Sequence, residues 1–514
     1  MLVKAYGSAV EGIHATIITV EVNVAFGGQP SFFLVGLPDN AVREGRERIR
    51  TAFAHNGFKL PRKVITVNMA PADITKVGSA YDLTVAMAIL AAEGDIATER
   101  LEQYLIMGEL SLDGALRPIK GALPIAVEAR KRGFKGFILP KQNAAEAAIV
   151  NQLDVIPVES LREAADFLDG KADIKPLVRD TREIFFDAQR NFPFDFSDVK
   201  GQENVKRALE VAAAGGHNAI LIGPPGSGKT MLAKRMPTIL PPLTLHEALE
   251  TTKIHSVSGI LPEGASLVAH RPFRSPHHTT SDVALVGGGG NPQPGEISLA
   301  HNGILFLDEL PEFKRAVLEV LRQPLEDRRI TVSRARLTVD YPANFMLVAS
   351  MNPCPCGYHN HPEKECVCAP AQVQRYISRI SGPLLDRIDL HVEVTPVPFE
   401  ELASRAEGES SEVIRARVVR AREIQLARFR DHPGLYANAM MPSRMVREVC
   451  QIDKFGESLL KIAMKKLDLS ARAFDRILKV ARTIADLAAS EAILPDHLAE
   501  AIQYRSLDRE SWAG

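Results

Sequence analysis

Gly223-Pro224-Pro225-Gly226-Ser227-Gly228-Lys229-Thr230 is a complete G-x-x-x-x-G-K-[ST] phosphate-binding loop. The apolar run Ala219-Ile220-Leu221-Ile222 precedes it, and a helix-compatible stretch begins at Met231. A nucleoside triphosphate needs that order of strand, glycine turn and helix. The glycines let backbone N–H groups curl toward phosphate oxygens. Lys229 reaches the β- and γ-phosphates, and the Thr230 hydroxyl can ligate Mg2+. The stretch predicts nucleoside-triphosphate binding in an α/β fold; alone it defines only an NTPase.

Further along, Ile304-Leu305-Phe306-Leu307 runs into Asp308-Glu309. A continuous apolar run is the pattern of a parallel strand buried on both faces, and α/β folds place ligands at the carboxyl ends of such strands. Asp308 is the candidate for the Mg2+ shell and Glu309 for polarising the attacking water. A second apolar strand, Phe345 to Met351, ends at Asn352, either a water-orienting amide or a turn former before Pro353. Arg387, in Leu384-Leu385-Asp386-Arg387-Ile388-Asp389-Leu390, reads two ways. It is an arginine finger for a neighbour's nucleotide, or a surface arginine paired with Asp386 or Asp389.

Four of the five cysteines fall in Cys354-Pro355-Cys356 and Cys366-Val367-Cys368. Four thiolates so close can close a tetrahedral Zn2+ site, with His359 and His361 as possible substitutes for one of them. The alternative is a set of reduced cysteines. Full thiolate ligation leaves no open position, so the expected zinc is structural. Cys450 stands alone and reads as a small buried residue.

The chain of 514 residues is too long for one core. Its hydrophobic fraction of 46% and charged fraction of 24% are those of a globular protein. A formal net charge of −1 means that nucleic-acid contacts must come from local basic patches. The start lacks a signal-peptide apolar region and no long apolar run follows, so no membrane association and a cytoplasmic location are expected. The expected divisions are an α/β domain over 1–170, a linker over 171–193, an ATPase core over 194–398 and a helical domain over 399–514. In the last, Ser470 reads as the N-cap of a helix carrying Phe474, Ile477, Val480 and Ile484 at helical spacing.

Together, the loop, the strand ending in Asp308-Glu309, Asn352 and the Leu384–Leu390 segment resemble an AAA+ ATPase, in that family's order. The resemblance favours the finger reading of Arg387. It also matches Arg472, at the start of the last-domain helix, to the sensor-2 arginine of a helical lid, with Arg476 one turn on. Two insertions narrow the likeness to the clade of MCM helicases and magnesium-chelatase ATPase subunits. One, Glu326–Asn344, has alternating segments around Ser333-Arg334-Ala335-Arg336 and reads as a β-hairpin. In the helicases such hairpins enter the ring channel, which implies Arg334 and Arg336 as DNA contacts; the other reading is a solvated turn. The second insertion, Leu243–Glu296, carries His277 and His278, read either as a metal or phosphate site or as turn hydrogen bonding.

Residues from about 64 to 150 resemble the Lon protease domain, with Gly78-Ser79-Ala80 at the nucleophile motif and Pro118-Ile119-Lys120-Gly121 in the later one. The register puts Leu123 where the catalytic lysine belongs, so a Ser–Lys dyad is missing. Ser79 reads as a helix N-cap or packing residue. Over essentially its full length the chain is similar to the ComM family of magnesium-chelatase-like proteins. The resemblance implies a hexameric ATP-driven helicase acting on single-stranded and branched DNA. Its implied role is branch migration in homologous recombination and natural transformation. The alternatives are a chelatase-type motor that remodels a protein partner, and an ATP-dependent protease.

Overall fold

The computed structural model describes residues 1–26, 29–179, 185–186, 189, 192–262, 264–290, 292–334, 337–359, 361, 363–398, 408–467 and 469–505. Most of the stretch expected as a linker's second half, and Arg336 of the hairpin turn, lie outside them. The chain divides into two compact units, Met1–Ala188 with Leu245–Ala269, and Gln189–Thr244 with His270–Gly514.

The first unit is built on a seven-stranded mixed sheet. Its strands are β1 (Leu2–Glu11), β2 (His14–Ala25), β3 (Ser31–Val35), β4 (Val64–Ala70), β5 (Tyr104–Ile106), β6 (Gly136–Pro140) and β7 (Asp154–Val158). The spatial order is β3-β4-β2-β1-β5-β6-β7. β1 and β2 form an antiparallel hairpin pairing Leu2 with Asn23 through Glu11 with His14. Helix Asp82–Glu93 is buried almost all round, which its apolar composition requires. The expected lysine position, Leu123, is 0% exposed. Ser79 begins a short 3-10 turn, and its hydroxyl donates to the Glu109 carboxylate instead of capping the helix. Among the described residues no lysine is bonded to it.

Helix Leu245–Ser258, part of the stretch read as an ATPase insertion, belongs to this first unit. Leu249 and Leu267 pack on its core, and the Gly121 N–H donates to the Ser256 carbonyl at 3.1 Å.

The second unit holds a five-stranded, all-parallel sheet. Its strands are β8 (Ala219–Ile222), β9 (Phe273–Arg274), β10 (Ile304–Leu307), β13 (Met346–Met351) and β14 (Leu390–Glu393), in the order β9-β10-β13-β8-β14. Between β10 and β13 in sequence lies a separate antiparallel hairpin, β11 (Arg329–Arg334) and β12 (Leu337–Pro342). Every residue of β8, β10 and β13 is buried, as their apolar runs, broken only by Ser350, demand. Each buried Leu or Ile is worth about 1.5–3 kcal/mol. The register sets Ile222 beside Met351 and Leu307 beside Ala349, so the carboxyl ends of three adjacent strands meet.

Downstream, the described residues form helices Ser411–Arg428, Lys454–Lys466, Ala471–Leu487 and Pro495–Gln503. The Ser470 hydroxyl caps the third by accepting from the Ala473 N–H at 3.2 Å. Ala473, Ile477, Val480, Ala481 and Ile484 form its buried face.

Candidate functional site

The phosphate-binding loop turns sharply where its glycines allow it. Gly226 and Gly228 sit at φ +79° and +87°, in the left-handed region. Gly223 is needed for another reason: a Cβ there would lie 2.2 Å from the Val394 carbonyl oxygen. Helix Lys229–Ile239 starts directly after Gly228, so its free N–H groups face the loop.

Lys229 is only 8% exposed. Its ammonium donates to the carbonyls of Gly223 and Pro224 at 2.7 and 2.8 Å and to Asn352 Oδ1 at 3.3 Å. Burial lowers its pKa, opposed by the charges of Asp308 and Glu309. The Thr230 hydroxyl donates to Asp308 Oδ2 at 2.8 Å. The Ser350 hydroxyl and the Glu309 N–H, the latter at 3.1 Å, donate to Asp308 Oδ1. Hydrogen bonds thus join Lys229 to Asn352 and Thr230 to Asp308, tying the start of the helix to the residues that follow β13 and β10.

Glu309 has backbone φ +52°, an uncommon state for a carboxylate residue. Its carboxylate lies 3.5 Å from His278 Nδ1, and the His278 ring packs edge-on against Phe313. His277 makes the local turn bond, Nδ1 to the Thr279 hydroxyl at 2.9 Å. The two histidines therefore differ: one serves a turn, the other stands against the Glu309 carboxylate.

Arg387 is 7% exposed and paired with neither Asp386 nor Asp389. Its guanidinium meets the Glu326 carboxylate and donates to the Pro383 carbonyl at 2.5 Å, while its Nε has no partner. Asp389 belongs to Arg476 and His217 instead. Burial would raise the Asp389 carboxyl, but Arg476 and His217 outweigh it and hold it well below the usual carboxylate range. Arg472 is exposed one turn earlier, and no hydrogen bond or ion pair joins it to the phosphate-binding loop among the described residues.

The four cysteine sulfurs lie within 4.8 Å of one another, with three pairs at 3.3, 3.6 and 3.7 Å. A tetrahedral ion with Zn–S of about 2.3 Å needs S···S near 3.8 Å, so the set fits zinc and is far from disulfide distance. Burial and the facing Cys356 and Cys354 sulfurs push the Cys366 thiol up to about 12, a shift that a bound cation would reverse. The histidines stay outside: His359 offers a backbone N–H to Cys354 Sγ, and the His361 ring accepts from Glu363 and Lys364. Gly357, at φ +85°, abuts the phosphate-binding loop, where a Cβ would stand 2.5 Å from Pro225 Cδ.

The hairpin has one apolar face, with Ile330, Val332, Val339 and Tyr341 buried. The Tyr341 hydroxyl donates to the Pro292 carbonyl at 2.8 Å, tying this insertion to the other. Arg334 ends β11 opposite Leu337.

Sequence reading missed three members of the site. Ser350 was signalled by a lone hydroxyl in an apolar strand. Gln202, whose amide bridges the carbonyls of Ser227 and Thr395 at 2.8 and 3.0 Å, lies in no motif. Glu326 is distant in sequence from the arginine it meets.

A parallel sheet with a phosphate-binding loop after β8 and an Asp-Glu pair two strands away, across the strand that ends in Asn352, defines an AAA+ ATPase. Residues 195–402 match the family model "Magnesium chelatase, subunit ChlI", residues 20–143 "Subunit ChlI of Mg-chelatase", and residues 408–505 "Magnesium chelatase, subunit ChlI C-terminal". The chain is 45% identical to uncharacterized protein YifB of Escherichia coli strain K12, over 97% of this chain and 96% of that one. It is 42% identical to Competence protein ComM of Haemophilus influenzae, over 99% and 98%. The Magnesium-chelatase 38 kDa subunit of Rhodobacter capsulatus is 27% identical over 31% of this chain and 50% of its own. The chain belongs to the ComM/YifB family of magnesium-chelatase-like proteins.

Proposed function

We propose that this ATPase is a DNA motor: a hexameric helicase that drives branch migration in homologous recombination and natural transformation. The observation that carries it is the β11–β12 hairpin, which leaves the sheet between the Asp308 and Asn352 strands and is tied through Tyr341 to the second insertion. A hairpin so connected can feel a change at either strand end. The printed name of the Haemophilus relative, a competence protein, supports the same reading.

ATP lies over Gly223–Thr230, and Lys229 exchanges its two loop carbonyls for phosphate oxygens. Mg2+, when bound, neutralises β- and γ-oxygen charge; Thr230 and Asp308 would hold it. Glu309 accepts the proton of the attacking water, steered by His278, while Asn352 orients that water. Arg387 serves the nucleotide of a neighbouring copy, and Arg472 closes on phosphate from the lid helix. Cys354, Cys356, Cys366 and Cys368 hold a structural zinc that braces the loop after Asn352. Arg334 and Arg336 grip DNA phosphates. The bond from Ser79 to Glu109 and the buried Leu123 at the expected lysine position speak against a protease role for the front domain. The protein works in the cytoplasm.

DNA-stimulated ATP hydrolysis tests this reading against a chelatase-type motor, which has no reason to respond to DNA. Arg334→Ala/Arg336→Ala is expected to keep basal hydrolysis, lose DNA stimulation and reduce the salt slope of binding by up to about two. Full stimulation in that variant would remove the hairpin from the mechanism.

A further inference from the structure

The front unit has an open groove of about 1060 Å³ between helix Asn40–His55, edge strand β3 and the 57–63 loop. Five cations line it: Arg46, Arg50, Lys59, Arg62 and Lys63. Against them stand Glu93, which Lys63 engages at 3.0 Å, and Asp95. Arg50 is paired with Glu47 at 2.7 Å, and Arg46 only loosely with the same residue at 3.9 Å. Lys59 and Arg62 have no ion-pair partner among the described residues. This surplus stands out in a chain of net charge −1.

Aromatic rings interleave the cations. Arg46 stands 5.7 Å from the Phe32 centroid. Lys63 lies 4.0 Å from that of Phe26, whose ring is 88% exposed. Phe32 and Phe58 line the groove, the Phe58 ring also facing Arg162 at 4.2 Å, and Phe26 stands beside it through Lys63. An acidic peptide would use the cations but has no need of the rings. A duplex keeps its bases stacked inside and would leave the rings idle. A single strand uses both, phosphates on the cations and unstacked bases on phenyl faces.

We propose that this groove is a second binding site for single-stranded nucleic acid, separate from the ATPase hairpin. The proposal rests on the reading of the chain as a DNA motor and adds to it a site that holds a strand independently of ATP.

The test is fluorescence anisotropy of the full chain with a labelled oligothymidylate, without nucleotide, across a salt series. The key variant is Arg46→Gln/Lys59→Gln/Arg62→Gln, which spares the Arg50 and Lys63 ion pairs. Affinity should fall at least tenfold, and the log–log salt slope should shrink by about two, since each phosphate contact on a single strand contributes about 0.7. Phe26→Ala should weaken binding without changing the slope, because it removes stacking and not charge. An unaltered thermal midpoint in both variants separates lost contacts from lost folding. Wild-type affinity and slope in the triple variant would overturn the groove while leaving the motor intact. So would equal losses for duplex and single strand. No DNA binding by the unaltered chain would overturn both readings.

Discussion

Asp389 shows how a buried charge is held in this protein. It is buried between Arg476 and His217, with the Asn218 N–H donating to it at 3.2 Å. Removing one partner of such a pair leaves an uncompensated charge, at a cost of about 3–5 kcal/mol. Arg476→Ala is therefore expected to lower stability by about that amount in chemical denaturation. The folded-state pKa of Asp389 is depressed, so its contribution is complete above the unfolded value near 4 and fades as pH falls below it. The wild-type advantage over Arg476→Ala should accordingly shrink below about pH 4. An equal difference at all pH values would mean that Arg476 acts by packing alone. The residues legible beforehand were those whose chemistry dictates spacing: Lys229, Thr230, Asp308, Asn352 and the four cysteines. Ser350, Gln202 and the Glu326 partner of Arg387 were not, because each joins the site through tertiary placement and not through a local pattern.

At the scale of elements, the cysteine loop and the phosphate-binding loop are neighbours in space, with Gly357 against Pro225. Structural zinc sites bind with about 10–16 kcal/mol, enough to order a loop that has no core of its own. One zinc per chain is expected by metal analysis of the purified protein. Its removal by a chelator should lower both the thermal midpoint and the affinity for ATP. Full ATP affinity in metal-free protein would disconnect the two loops. Elements with a clear local signal were readable: the Ser470-capped helix and the hairpin both formed near their expected bounds. Helix Leu245–Ser258 was read as part of the ATPase insertion, yet it belongs to the front unit. Its sequence carries no mark of that partner, because helical periodicity encodes a buried face and not what covers it.

At the scale of the whole molecule, the proposed ring divides one active site between two copies. Arg387 is sheathed by Glu326 in the single chain, with a buried Nε left unpaired. A neighbour's phosphate would satisfy that N–H and displace the carboxylate. Lys229→Ala and Arg387→Ala should each be inactive alone and regain partial ATP hydrolysis when mixed, since mixed rings contain some complete interfaces. No recovery on mixing, with co-assembly established, would place Arg387 in its own chain's site. The central claim is that hydrolysis at Gly223–Thr230 moves DNA. The most direct measurement is ATP-dependent branch migration of a labelled three-strand junction, with Lys229→Ala as control. The unaltered protein should exchange strands with ATP, and neither Lys229→Ala nor the unaltered protein with a non-hydrolysable analogue should do so. Robust DNA-independent hydrolysis with no migration would contradict that claim.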